Sequence, residues 1–98
     1  MTTRFSHKGS FTKININKAP ANKPVIYKIK NSAGKNVYTG IAKKGRVLKR
    51  LEEHLPGGKD PVPGAETFSI KQKPSIESAK REEERIIKDE DPKYNKQE

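Results

Sequence analysis

The sequence predicts an α+β domain, a small three-stranded antiparallel sheet flanked by helices. Three observations carry this. Two β-branched and aromatic runs, residues 25–30 and 37–40, flank the turn-rich Asn31-Ser32-Ala33-Gly34-Lys35-Asn36, which reads as a β-hairpin. A later run, residues 66–71, alternates so that Phe68 and Ile70 share a face. Apolar residues recur at helical spacing in Val47, Leu48, Leu51 and Leu55, and again in Ile76, Ala79, Ile86 and Ile87.

Taken in order, segment 1–23 carries Arg4, Lys8, Lys13, Lys18 and Lys23 and no acidic residue. Its apolar content is thin (Phe5, Phe11, Ile14, Ile16), so it reads as a flexible basic arm, with Ile14 and Ile16 able to add a short edge strand. Such an arm either gains phosphate contacts without sequence readout or has no role. Residues 24–98 form the single folded domain.

The hairpin belongs near the middle of the sheet. Alternation places Tyr27 and Ile29 on one face and Ile26, Lys28 and Lys30 on the other. Gly40 should end the second strand at a sharp exit, where a side chain would block a close approach or a left-handed turn. The helix that follows opens with Lys43, Lys44 and Arg46, cations that oppose the helix dipole unless a phosphate sits there. Arg46, Arg50 and His54 line the edge of its apolar stripe, either as a groove wall or as a solvated flank with Arg46 and Arg50 paired to glutamates of the same helix.

Residues 56–64, rich in Gly and Pro, read as a surface loop, and the third strand follows. Ser75 is a good N-cap for a helix over 76–88, which Pro92 stops. On that helix Glu83 falls in the centre of the apolar stripe, with Glu82 and Glu84 on its flanks. A buried carboxylate costs several kcal/mol unless it is paired or binds a metal. Glu83 is therefore either half of a partly buried salt bridge or functional. Cations around it should hold it ionised.

With 98 residues the chain has room for one modest core. Its 22 Lys and Arg against 12 Asp and Glu give +10, which points to a polyanion, nucleic acid first, although charge alone does not separate DNA from RNA or anionic lipid. No apolar run approaches a membrane span and no secretory signal is read, so a cytoplasmic, monomeric protein is expected. The absence of cysteine excludes disulfides and thiolate metal sites.

Val25-Ile26-Tyr27 and Tyr38-Thr39-Gly40 resemble the paired motifs of the GIY-YIG nuclease family. Arg50 and His54 match its helix motif, Glu83 with Ile86-Ile87 its metal-ligand motif, and Pro92-Lys93-Tyr94-Asn95 its closing motif. The resemblance implies a metal-dependent endonuclease that cuts DNA by one-step phosphodiester hydrolysis. Carried over, Glu83 is the ligand of Mg²⁺ or Mn²⁺, a hard cation that keeps waters and needs few protein ligands. Arg50 holds the non-bridging oxygens, Tyr27 or His54 is the general base, and Tyr38 hydrogen-bonds and packs. Lys43, Lys44, Arg46 and Asn95 are the candidate DNA and phosphate contacts. Val25 stands for the family's glycine and Thr39 for its isoleucine, and the interval from Gly40 to Arg50 is longer than usual, which makes Arg46 the fallback for Arg50. Target choice would then rest on DNA structure, as in repair or recombination, or on a partner protein. A catalytically silent nucleic-acid-binding module and a small basic RNA-binding or adaptor protein are the alternatives.

Overall fold

The computed structural model describes Phe5 and residues 7–95. It is an α+β domain with four strands, β1 His7–Ser10, β2 Val25–Lys30, β3 Asn36–Ala42 and β4 Thr67–Gln72. The helices are α1 Lys13–Asn17, α2 Val47–Glu53 and α3 Ile76–Glu90, followed by a single 3-10 turn, Lys93–Asn95. The sheet runs β1-β4-β2-β3 and every pairing is antiparallel. No helix among the described residues is long and apolar enough to cross a membrane.

The hairpin forms where the pattern placed it. Asn31 closes its turn, its Oδ1 accepting from the Ala33 and Lys35 amides at 3.0 Å each, and Gly34 takes φ +81°. β2 is interior, between β4 and β3, whereas β3 is an edge strand. Val25, Tyr27 and Ile29 join Phe68 and Ile70 in the core, packed by Phe11, Ile16, Val47, Leu51 and Val62. Ile26 is also buried, on the other face, where α3 contributes Ala79 and Ile86.

Four expectations are corrected. The sheet has a fourth strand, because residues 7–10 add to the free edge of β4. Residues 13–17, expected as arm or edge strand, are helical. Thr12 caps them by accepting from the Asn15 amide, Ile16 is buried, and Ile14 faces solvent. The described part of the expected arm is thus built into the fold, while residues 1–4 and 6 lie outside the described residues. β3 does not end at Gly40 but runs on to Ala42, and the left-handed turn falls at Gly45, φ +84°. α2 consequently starts at Val47, so Lys43 and Lys44 lie in the connection before it, with Arg46 at its N-cap.

The rotation of α3 also differs from the expectation. Its buried positions are Ala79 and Ile86, and Glu82, expected on a flank, is turned in beside them. Its carboxylate accepts from Lys71 Nζ at 2.8 Å and from Lys73 Nζ, with the Glu82 and Lys71 side chains only 10% and 7% exposed. Lys28 bonds Glu90 at 2.9 Å in the same way. The face of the sheet under α3 thus carries ion pairs beside the apolar Ile26, Ala79 and Ile86, and these pairs pull Glu82 inward beyond what apolar periodicity alone indicates. Burial alone would raise the Glu82 carboxyl, but the hydrogen bonds and charges of Lys71 and Lys73 outweigh it and hold the group below the usual carboxylate range.

Breaking a buried pair from one side strands the other charge, so Glu82→Ala should cost about 3–5 kcal/mol in urea unfolding at neutral pH. Because the folded-state value is depressed, this contribution is complete above the ordinary glutamate value and is lost as pH falls through the folded value. The wild-type chain should therefore lose stability in acid faster than Glu82→Ala does. Parallel curves would contradict this account.

Candidate active site

Strand register begins the site. Tyr27 lies opposite Gly40 and Ile29 opposite Tyr38, so both tyrosines project from the same face. The two rings stack with centroids 6.3 Å apart. Gly40 is needed for close approach, not for a turn. A Cβ there would meet Cζ and Oη of Tyr27 at 2.5 Å.

His54, the C-cap of α2, closes the cluster, its ring 4.6 Å from that of Tyr38 and 5.7 Å from that of Tyr27. Nε2 lies 2.9 Å from Tyr27 Oη and Nδ1 2.9 Å from the Asp60 carbonyl oxygen. A carbonyl only accepts, so Nδ1 carries the hydrogen; in the neutral ring Nε2 then accepts from the Tyr27 hydroxyl. Burial lowers the His54 pKa and, with smaller opposing contributions from Asp60, favours that neutral ring. Tyr27 and His54 are both fully buried, 0% exposed. Burial, reinforced by Tyr38, pushes the Tyr27 phenol far above its ordinary value. Tyr27 is therefore a neutral hydrogen-bonding group at neutral pH, and a tyrosinate base is disfavoured.

The more accessible members are Tyr38, Arg50 and Glu83, each half-buried. No hydrogen bond from the Tyr38 hydroxyl is present among the described residues, and burial raises its pKa against the pull of Arg50. Arg50 donates to Glu53 at 3.0 Å, the intrahelical pairing that the solvated-flank alternative describes, yet it also acts electrostatically on both tyrosines. Arg50, Arg46 and Lys43 line a groove of about 340 Å³ with Ile41, Ala42 and Ile76, and no acidic residue lines it among the described residues. Lys44 is exposed and outside that lining.

Glu83 comes from the opposite face of the sheet. Because β3 is the edge strand and α3 packs across it, Glu83 comes within electrostatic reach of Tyr27, Tyr38 and Arg50. It makes no hydrogen bond or ion pair among the described residues, while its neighbour Glu82 is held by two lysines. Burial, with Glu84 next, raises the Glu83 pKa, and Lys80 and Arg50 only partly offset this. Desolvation, not the surrounding cations, therefore sets the direction of its shift. An unpartnered, half-buried carboxylate does fit a hard divalent cation, whose charge would favour the ionised form. No cluster of three or more His, Cys, Asp or Glu is present among the described residues.

Asn95 is expected to serve either as a phosphate contact at the site or as a backbone cap, and it takes the second role here. Its Nδ2 donates to the Thr39 carbonyl at 2.9 Å and its Oδ1 accepts from the Thr39 amide at 2.6 Å, so its amide is already committed to β3. The residues that sequence reasoning missed are Asp60 and Gly58, in the stretch read as a surface loop. The Gly57-Gly58 pair was the only signal there. The chain matches no family model, and neither curated proteins nor solved structures give a match to it.

The depressed His54 value means that the unfolded chain binds the extra proton as pH falls. The contribution of His54 to stability should be complete above its ordinary value of 6.5 and decline as pH drops through the folded value. His54→Ala should remove that dependence in denaturant titrations. It should also cost about 1–3 kcal/mol at pH 7.5 by stranding the Tyr27 hydroxyl.

Proposed function

We propose that the chain is a divalent-metal-dependent endonuclease of the GIY-YIG type, hydrolysing phosphodiester bonds in DNA. One observation carries the reading. Among the described residues, Glu83 is a half-buried carboxylate without a hydrogen-bond or ion-pair partner, within electrostatic reach of Arg50 and the tyrosines, and Arg50 lies on a groove that Lys43 and Arg46 also line. The net charge of +10 supports a polyanionic substrate.

Glu83 would hold Mg²⁺ or Mn²⁺, which when bound supplies the charge that polarises the scissile phosphate. Arg50 presents its guanidinium to the non-bridging oxygens, where negative charge grows in the transition state. Lys43 and Arg46 seat neighbouring phosphates along the groove. The Tyr38 hydroxyl orients the attacking water or a phosphate oxygen. Tyr27 and His54 lie behind it as a buried proton-holding pair, with His54 the member able to take a proton.

The full burial of Tyr27 and His54 favours a second reading, a nucleic-acid-binding module in which that pair is structural and nothing is cut. Incubation with linear, flapped and branched DNA and Mg²⁺ or Mn²⁺ separates the two. Glu83→Gln should abolish cleavage while binding persists or strengthens, because a negative charge near phosphate is lost. Arg50→Ala should lose cleavage and weaken binding. Duplex affinity should fall with salt at a slope of about −0.9 per neutralised phosphate. Metal-independent binding to DNA and RNA alike, without products, would favour the module instead.

A further inference from the structure

The buried Tyr27–His54 hydrogen bond has two possible directions, and they are chemically opposite. With Nε2 bare, Tyr27 donates inward and its oxygen keeps only acceptor lone pairs. With hydrogen on Nε2, His54 donates and the Tyr27 proton is freed to point elsewhere, as an acid. The ring itself has no strong preference, so its surroundings decide.

Those surroundings are a tightly folded loop. After α2 the Gly58 amide donates to the Leu55 carbonyl at 2.8 Å, the Asp60 amide to the Glu53 carbonyl at 2.8 Å, and the Val62 amide to the His54 carbonyl at 3.1 Å. These bonds turn the loop back over the end of α2 and set the Asp60 carbonyl 2.9 Å from Nδ1. The Asp60 carboxylate is farther away, at 4.0 Å, and largely exposed. Gly58 is what lets the loop close. A Cβ there would come within 2.5 Å of the Glu53 carbonyl oxygen and 2.7 Å of that of Glu52, helix backbone atoms that have little room to yield.

We infer that the loop after α2 locks the His54 tautomer through the Asp60 backbone carbonyl, with Gly58 as the positioning residue, and so fixes Tyr27 as the inward donor. On the nuclease reading, on which the functional part rests, the lock leaves His54 Nε2 to take the Tyr27 hydroxyl proton as the Tyr27 oxygen takes one from the attacking water, so no free tyrosinate forms. Gly58 then contributes to catalysis without approaching substrate. The charged and titratable groups around the ring are Tyr27 from β2, Tyr38 from β3, Arg50 and Glu53 from α2, and Asp60 from the loop.

The test is ¹⁵N NMR of the imidazoles in the full chain, which has two histidines; His7→Gln leaves His54 alone. At pH 7.5 Nδ1 should be protonated and Nε2 bare. Asp60→Asn, which alters the side chain and keeps the carbonyl, should leave that pattern unchanged. Gly58→Ala should shift His54 toward the opposite tautomer or a mixture. With Mg²⁺ and DNA it should cut about 10²-fold more slowly, with its acid limb displaced and its DNA affinity retained. Hydrogen on Nε2 in the wild-type chain, a tautomer switch in Asp60→Asn, or an unchanged tautomer in Gly58→Ala would each overturn the inference. If Gly58→Ala does not fold, the wild-type and Asp60→Asn spectra still decide. A confirmed lock in a chain that cuts no DNA would overturn the nuclease reading and leave the lock standing.

Discussion

One buried hydrogen bond, from the Tyr27 hydroxyl to His54 Nε2, ties the interior strand of the sheet to the end of α2. Neither group has water as an alternative partner, so each would be left unsatisfied without the other. The bond is possible only because Gly40 leaves space beside Tyr27 and because the loop after α2 satisfies the second ring nitrogen. Remove any of the three and a polar group is stranded in the core. Tyr38, held by its register with Ile29, and Arg50, carried by α2, flank the pair that this bond joins.

The sheet presents two unlike faces. The one under α1 and α2 is a conventional apolar core, while the one under α3 is held by Lys71, Lys73 and Lys28 reaching Glu82 and Glu90. Ion pairs are directional where apolar contacts are not, so they set the rotation of α3 about its axis. That rotation separates the fates of two neighbouring glutamates. Glu82 is paired with lysines, while Glu83 near the edge of β3 makes no ion pair or hydrogen bond among the described residues.

Much of this was legible in the sequence and some was not, for identifiable reasons. β2, β4, the hairpin turn and the Ser75 cap follow from alternation, turn chemistry and capping, all local properties. β1 was not legible because His7-Lys8-Gly9-Ser10 has no strand pattern; its pairing depends on the free edge of β4. The phase of α3 is not legible from apolar spacing, because Lys71 near the end of β4 and Lys73 just beyond it draw Glu82 inward by charge. The grouping of Tyr27, Tyr38, Arg50 and His54 was anticipated. The loop that orients His54 was not, because its contribution is a backbone carbonyl and any residue has one.

Asn95 has a consequence beyond the site. By bonding both the amide and the carbonyl of Thr39, its side chain does on the outer edge of β3 what one residue of a neighbouring strand would do. Exposed strand edges are templates on which other chains assemble. The 3-10 turn at Lys93–Asn95 therefore acts as a guard against self-assembly, since an incoming strand must first evict Asn95. A chain cut short before this turn would lose the packing of Tyr94 on the core and expose an adhesive edge as well, so clumping would accompany its loss of stability.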